Sequence, residues 1–268
     1  MSQVPLRPMS TGEILDTAFG VYRRHLATLV TIVVVLIGLG VVLFGALAAV
    51  LLPGSILTGD MGTFFGAMAV FALGYVVLTQ LSMGASVLVI AEGYLGRTLR
   101  AGEAIRRTFG KLGLLIVSGL MVGIVVGLGT LLLFVPGAIL LCGLILTTQV
   151  VMLESPGSAT AAMGRSWALS RDFRWRMFLL ILVAGVLTVV VTFGLSILAT
   201  FLTGMGMSVE PGETPSLLPM ILVQGVQLVA SIVITPLPYC ILTVAYYDLR
   251  VRKEAFDLEL LATSLQPA

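Results

Sequence analysis

The chain has 268 residues, 58% of them hydrophobic and 10% charged, with a mean hydropathy of +1.12. A water-soluble domain usually carries about 25% charged residues, so the composition excludes a soluble globular fold and points to the bilayer as solvent. The net charge of +2 decides little, and Cys142 and Cys240 both fall inside apolar runs, which excludes a disulfide framework or a metal-ligand spacing.

In chain order, the first segment carries Arg7, Glu13, Asp16, Arg23 and Arg24. It is too polar for a cleavable signal peptide, and the apolar run behind it exceeds a signal core of roughly 7–15 residues. That run is expected to stay in the membrane. Ser10 and Glu13 have capping-box spacing, and Ile14, Leu15, Ala18, Phe19 and Tyr22 share one helical face. An interfacial helix is therefore expected over 10–25.

Spanning helices are then expected at 26–52, 64–91, 112–135, 138–153, 177–203 and 217–247, with a tail at 248–268. Pro53-Gly54 closes the first. The uncharged stretch from Leu112 to Leu153 is twice as long as one span and is divided at Val135-Pro136-Gly137, a turn signal. Pro236 and Pro238 lie inside the sixth span and are expected to bend it. The expected fold class is all-α, a single integral membrane domain of six transmembrane helices with amphipathic helices at the interface.

The basic residues settle the orientation expected. All fifteen lie in four segments: Arg7, Arg23 and Arg24; Arg97, Arg100, Arg106, Arg107 and Lys111; Arg165, Arg171, Arg174 and Arg176; and Arg250, Arg252 and Lys253. The three remaining loops hold only Asp60, Glu210 and Glu213. With six spans every basic segment falls on one side, and the positive-inside rule places both termini in the cytoplasm. Five or seven spans would split them.

The basic segments resemble one another. Gly12-Glu13 with Phe19-Gly20 matches Gly102-Glu103 with Phe109-Gly110, and Ala104 to Phe109 matches Ala162 to Trp167. A unit of one interfacial helix plus a helical hairpin, used three times, is expected. Such helices lie in the headgroup layer with aromatic rings buried and basic groups toward anionic lipid. Trp167 and Trp175 fall in one of them, where interfacial tryptophan is expected. Each even-numbered span ends in an acid, Glu92, Glu154 or Asp248, which opposes the helix dipole. Arginines such as Arg107, Arg165 and Arg250 are the expected partners of a clamp between interfacial helices and bundle.

Within the spans, Gly119, Gly123 and Gly127 form a ladder suited to close helix packing, inside the chain or between protomers. Gln224, Gln227, Ser231, Thr235, Tyr239 and Thr243 share one face of the sixth span. Tyr75, Thr79, Ser82 and Ser86 form a similar stripe on the second, and Thr147, Thr148 and Gln149 lie on the fourth. These stripes either bond helix to helix or line a polar cavity, with Tyr75, Thr79, Ser82, Gln149, Gln224, Gln227, Ser231 and Thr235 as its candidate residues. Catalytic chemistry finds no foothold. His25 is the only histidine, no Ser-His-Asp set forms around it, and no phosphate-binding loop or acid pair in a span is present. No cofactor, metal or nucleic acid is expected. No acid or base lies deep in a span, which disfavours ion-coupled transport.

Arg7-Pro8 through Glu13-Ile14-Leu15-Asp16, the Phe134-Val135-Pro136-Gly137 turn, Glu154 followed by Ala162 and Arg165-Ser166-Trp167-Ala168-Leu169-Ser170, and Tyr246-Tyr247-Asp248-Leu249-Arg250-Val251-Arg252-Lys253-Glu254 followed by Phe256-Asp257 resemble the bacterial glycerophosphoryl diester phosphodiesterase membrane-domain family. The resemblance runs over nearly the whole chain. It implies a membrane domain without the separate soluble barrel that carries hydrolysis in two-part members, and it transfers no catalytic residue. The expected function is that of a non-enzymatic protein of a bacterial plasma membrane, a scaffold or accessory subunit. Its basic cytoplasmic face would meet anionic headgroups, a protein partner or a second copy. The alternative is passive transport or lipid handling through a polar cavity lined by the second, fourth and sixth spans.

Overall fold

A computed structural model describes residues 7–58, 60–202 and 217–255, of which 48–58 and 217–220 by backbone alone. The described residues fold into helices without a strand: α1 Thr11–Thr58, α2 Met61–Tyr94, α3 Ala101–Phe109, α4 Leu112–Leu132, α5 Phe134–Leu144, α6 Thr147–Leu153, α7 Ala159–Ser170, α8 Arg174–Leu202, α9 Leu217–Ile234 and α10 Pro236–Glu254. Among them, six helical stretches are long and apolar enough to cross a membrane: α1, α2, α4, α5 with α6, α8, and α9 with α10. The tail beyond Ala255 and the loop that holds Glu210 and Glu213 lie outside the described residues.

Several boundaries differ from the sequence expectation. The segment 10–25 is not a separate interfacial helix. It forms the first turns of α1, which runs unbroken for 48 residues and passes through Pro53-Gly54 to Thr58. Its start is the expected capping box: Ser10 N–H donates to Glu13 Oε2 at 2.6 Å, and Glu13 N–H donates to Ser10 Oγ at 3.2 Å. The bond from the Ser10 amide, followed by the Arg7 guanidinium and the Ser10 hydroxyl, holds the Glu13 carboxyl down at about 2. The chain turns between α4 and α5 at Leu133, whose backbone is extended, and Pro136 sits in the first turn of α5. A proline is tolerated there because first-turn amides have no intrahelical acceptor. Gly137 is required on other grounds: a Cβ would strike the Thr130 backbone of α4.

The sixth span is interrupted once, between Ile234 and Pro236. Pro236 and Pro238 offer no N–H to the carbonyls one turn back, and Tyr22 Oη of α1 donates to the nearby Val233 carbonyl at 2.7 Å. Asp60 caps α2, its Oδ1 accepting the Gly62 and Thr63 amides at 3.0 and 3.2 Å.

Three successive groups of helices, α1–α2, α3–α6 and α7–α10, contact one another in turn, the first without a separate interfacial helix. Helix α3 packs on α1 and α2 of the preceding group, and α7 packs on α4, α5 and α6 of the preceding group. The start of α1 meets α10 of the last group. All four basic segments meet at one end of the bundle. The buried core lies largely toward that end, in residues such as Ile14, Ile90, Leu146, Val150, Ile241, Tyr246 and Leu249. The spans turn Val42, Leu131, Phe193 and Ile197 outward, as a lipid-facing surface should.

Candidate functional site: a lateral cleft and a ring of ion pairs

Three acids anchor the basic end. Asp248 is 1% exposed: Oδ2 accepts from Arg176 and Arg252, both at 2.9 Å, and Oδ1 accepts the Met9 amide at 2.7 Å. Both arginines also donate to the Met9 carbonyl. The backbone before α1 is thus held by α8 and α10 together. Asp248 does not end its helix, because α10 continues to Glu254, so the macrodipole is not what it opposes. Its partners are Arg176, Arg252 and Met9, whereas Arg250 bonds Glu254 at 3.1 Å. Glu154 accepts from Arg165 Nε and from Tyr246 Oη, both at 2.7 Å, and Arg165 reaches on to Glu254. Those two carboxylates push the Arg165 guanidinium upward. Glu92 makes only longer contacts, 3.7 Å to Arg97 and 3.9 Å to Arg107, and Arg107 bonds Glu103 within α3.

Lys111 has a role that the sequence reading missed. Its Nζ donates to the Met152 carbonyl at 2.8 Å, the Val151 carbonyl at 3.3 Å and Ser155 Oγ at 2.6 Å. It thereby satisfies carbonyls at the end of α6, where a cation also complements the dipole. Trp167 lies over Gly143, with the Arg174 guanidinium 3.9 Å above its ring. Ser166 Oγ donates to the Gly143 carbonyl at 2.8 Å. Phe109 and Trp175 are exposed and follow Arg106 and Arg171 by three and four residues in the chain, arginines with no ion-pair partner among the described residues.

The glycine ladder divides. Gly119 packs against the Gln80 side chain, while Gly123 and Gly127 face open space within the chain. The close helix approach here is that of Gly129 and Gly137 across the α4–α5 turn.

A cleft of about 720 Å³ opens sideways between α1, α2 and the α9–α10 junction. Tyr75, Thr79, Ser82, Ser231 and Thr235 all line it, joined by Tyr239. The structure therefore brings two of the polar stripes together. The other candidates lie elsewhere. Gln227 Nε2 donates across to Ser196 Oγ of α8 at 2.7 Å, Gln224 is exposed on α9, and Gln149 is fully buried on α6 with neither amide atom bonded. The fourth span contributes nothing to the cleft. Its place is taken by α1, through Val33, Leu36, Gly40 and Phe44. No periodic signal in the sequence could have singled out that wall, because α1 is apolar on every side here.

The cleft is shaped by close packing. Gly40 leaves room for Leu78, and the Phe44 ring occupies the place where a Cβ on Gly74 would lie. Phe44 and Phe71 meet at 5.6 Å between ring centroids. Among the described residues, the lining carries no Lys, Arg, His, Asp, Glu or Cys. Its size lies in the range of small-molecule sites, and its chemistry is that of an apolar slot with a hydroxyl-bearing wall. A second, apolar groove of about 580 Å³ lies between α4, α5 and α8. Compared with known proteins, the chain matches no family model, no curated protein and no solved structure.

Proposed function

We propose that this chain is a non-enzymatic, multi-pass membrane protein that binds a membrane lipid in the cleft between α1, α2 and the α9–α10 junction. The observation that carries this reading is the cleft itself. It opens laterally among helices suited to the bilayer, its walls are mostly apolar, and Tyr75, Thr79, Ser82, Ser231, Thr235 and Tyr239 supply hydroxyls along one side. A membrane amphiphile matches both halves of that lining. Purification in nanodiscs followed by native mass spectrometry and lipid analysis tests it. A lipid retained in fixed stoichiometry supports the reading, and a preparation whose lipids mirror the bulk membrane counts against it.

A second reading, a scaffold or accessory subunit, is favoured by the basic end. Exposed Phe109 and Trp175, with Arg106 and Arg171 close by in the chain, have the make-up of an interfacial surface for anionic headgroups. Cross-linking that recovers a reproducible protein partner through α3 or α7 would favour it. The family resemblance supports a bacterial plasma membrane, and the charge pattern supports both termini in the cytoplasm. Reporter fusions at each terminus test this. The motifs at Arg165–Ser170 and Tyr246–Glu254 support kinship with the glycerophosphoryl diester phosphodiesterase membrane domain. Both motifs supply the ion pairs of the basic end.

A further inference from the structure

The two hydroxyl stripes do not stop at the cleft. On α2, Ser82 is followed one turn later by Ser86. On α10, Tyr239 is followed one turn later by Thr243. The next α10 turn brings Tyr247, whose ring stacks on Tyr94 of α2 at 5.0 Å. Ser86 and Thr243 therefore lie between the cleft and that stacked pair, on facing sides of two packed helices. Both are fully buried, and neither hydroxyl has a hydrogen-bond partner among the described residues. Most helical hydroxyls in this bundle behave otherwise. Those of Thr31, Thr108, Thr130, Thr188 and Thr192 each donate to a carbonyl one turn back. Within the cleft, the hydroxyls of Ser82, Ser231, Thr235 and Tyr239 are likewise unused by the described residues. Ser86 and Thr243 are sealed off from the cleft, but the half-buried hydroxyls of Ser82, Ser231, Thr235 and Tyr239 face it, and together they suit a polar group supplied from outside the chain.

Depth and charge identify that group. Thr235 stands about 20 Å of helix from Asp248, and Ser82 about 15 Å from Glu92. In a hydrocarbon core of about 30 Å, these hydroxyls sit near mid-membrane. A phosphate at that depth needs a cation, and the described residues of the lining include none. We infer that the cleft selects an uncharged lipid, one whose headgroup offers hydroxyl or carbonyl oxygens and no phosphate. That headgroup lies against Ser82, Thr235 and Tyr239, and the chains run past Phe44 and Phe71 toward the bilayer. This inference rests on the lipid-binding reading and narrows it to a chemical class.

The test uses the full chain in phosphatidylcholine nanodiscs, each doped with one photoreactive probe: a diacylglycerol, a phosphatidylglycerol or a phosphatidylcholine. Labelled peptides are then mapped. The diacylglycerol probe is expected to label α1, α2 and the α9–α10 junction, and to be displaced by unlabelled dioleoylglycerol. The double variant Ser82→Ala/Thr235→Val should lower that labelling about tenfold, as two lost hydrogen bonds imply. Tyr239→Phe keeps the ring and should lower it several-fold, which covers the case where the double variant does not fold. Equal cleft labelling by the phospholipid probes would overturn the uncharged class and leave lipid binding standing. Labelling of the cleft by no probe above the level at the outward face of α8 would overturn lipid binding itself. Unchanged diacylglycerol labelling in folded variants would overturn the role of the hydroxyls.

Discussion

Asp248→Asn removes one charge from the most buried ion cluster among the described residues. The side chain is 1% exposed, and its two guanidinium partners are only 16% and 26% exposed. Asparagine is the same size and its amide oxygen can still accept the Met9 amide, so packing is preserved. What is lost is the negative charge that balances Arg176 and Arg252. Breaking a buried pair by removing one partner costs about 3–5 kcal/mol, and the retained Met9 bond argues for about 3. Each kcal/mol corresponds to about 2–4 °C for a chain of this order, so the apparent unfolding midpoint in detergent should fall about 6–12 °C. The triple change Asp248→Leu with Arg176→Met and Arg252→Met should recover part of the loss, because no uncompensated charge then remains. Thermal unfolding followed by fluorescence size-exclusion gives both numbers. A midpoint within about 2 °C of the parent for Asp248→Asn would refute the reasoning. It would mean that Met9, α8 and α10 are held by packing alone.

Other expectations follow from the same geometry. Gly137→Ala should lower the midpoint clearly, by about 1–3 kcal/mol of overpacking, because the Thr130 backbone cannot yield as a side chain can; a neutral result would disprove the close α4–α5 approach. Gly123→Leu and Gly127→Leu should be tolerated by an isolated chain, since both glycines face open space; loss of a higher oligomer on size-exclusion, with the fold intact, would place them between copies instead. Tyr246→Phe removes the hydroxyl that donates to Glu154 Oε1 and should cost about 1 kcal/mol, read as a midpoint shift of a few degrees. The Glu13 carboxyl is held at about 2 against an ordinary 4.5, so the stability that its bonds lend is present above pH 4.5 and lost as pH falls toward 2; Glu13→Gln should flatten the acid limb of a stability–pH curve.

The spans could be read from the sequence because hydropathy and the placement of arginine and lysine are set residue by residue. The polar stripes were legible for the same reason: Ser231, Thr235, Tyr239 and Thr243 recur every four residues, which is one helical face whatever the tertiary structure. The third wall of the cleft was not legible. Around Leu36 and Phe44, α1 is apolar on all sides, so nothing marks the side that meets α2. Equivalent dipeptides also behaved differently. Phe109-Gly110 ends α3, where Lys111 is drawn to the end of α6, while Phe19-Gly20 stays inside α1. The break near Pro136 is legible, but the turn itself falls at Leu133 and Pro136 occupies a helix start, where proline is at home. Gln149 lies on a fully buried face of α6 that only the packing reveals. Asp248 has one partner a turn away in sequence, Arg252, but Arg176 and Met9 come from distant segments and leave no local trace.

The most direct test of lipid binding in the cleft places a photoreactive benzophenone amino acid at Tyr75, an exposed aromatic at the cleft mouth, and at Phe193, an exposed aromatic on α8 outside it. Irradiation in native membranes and mass analysis of the adducts compares the two positions. The account predicts one lipid class dominating at position 75, against a bulk-membrane mixture at position 193. Identical lipid profiles at the two positions, or adducts at 75 only to neighbouring helices, would contradict it.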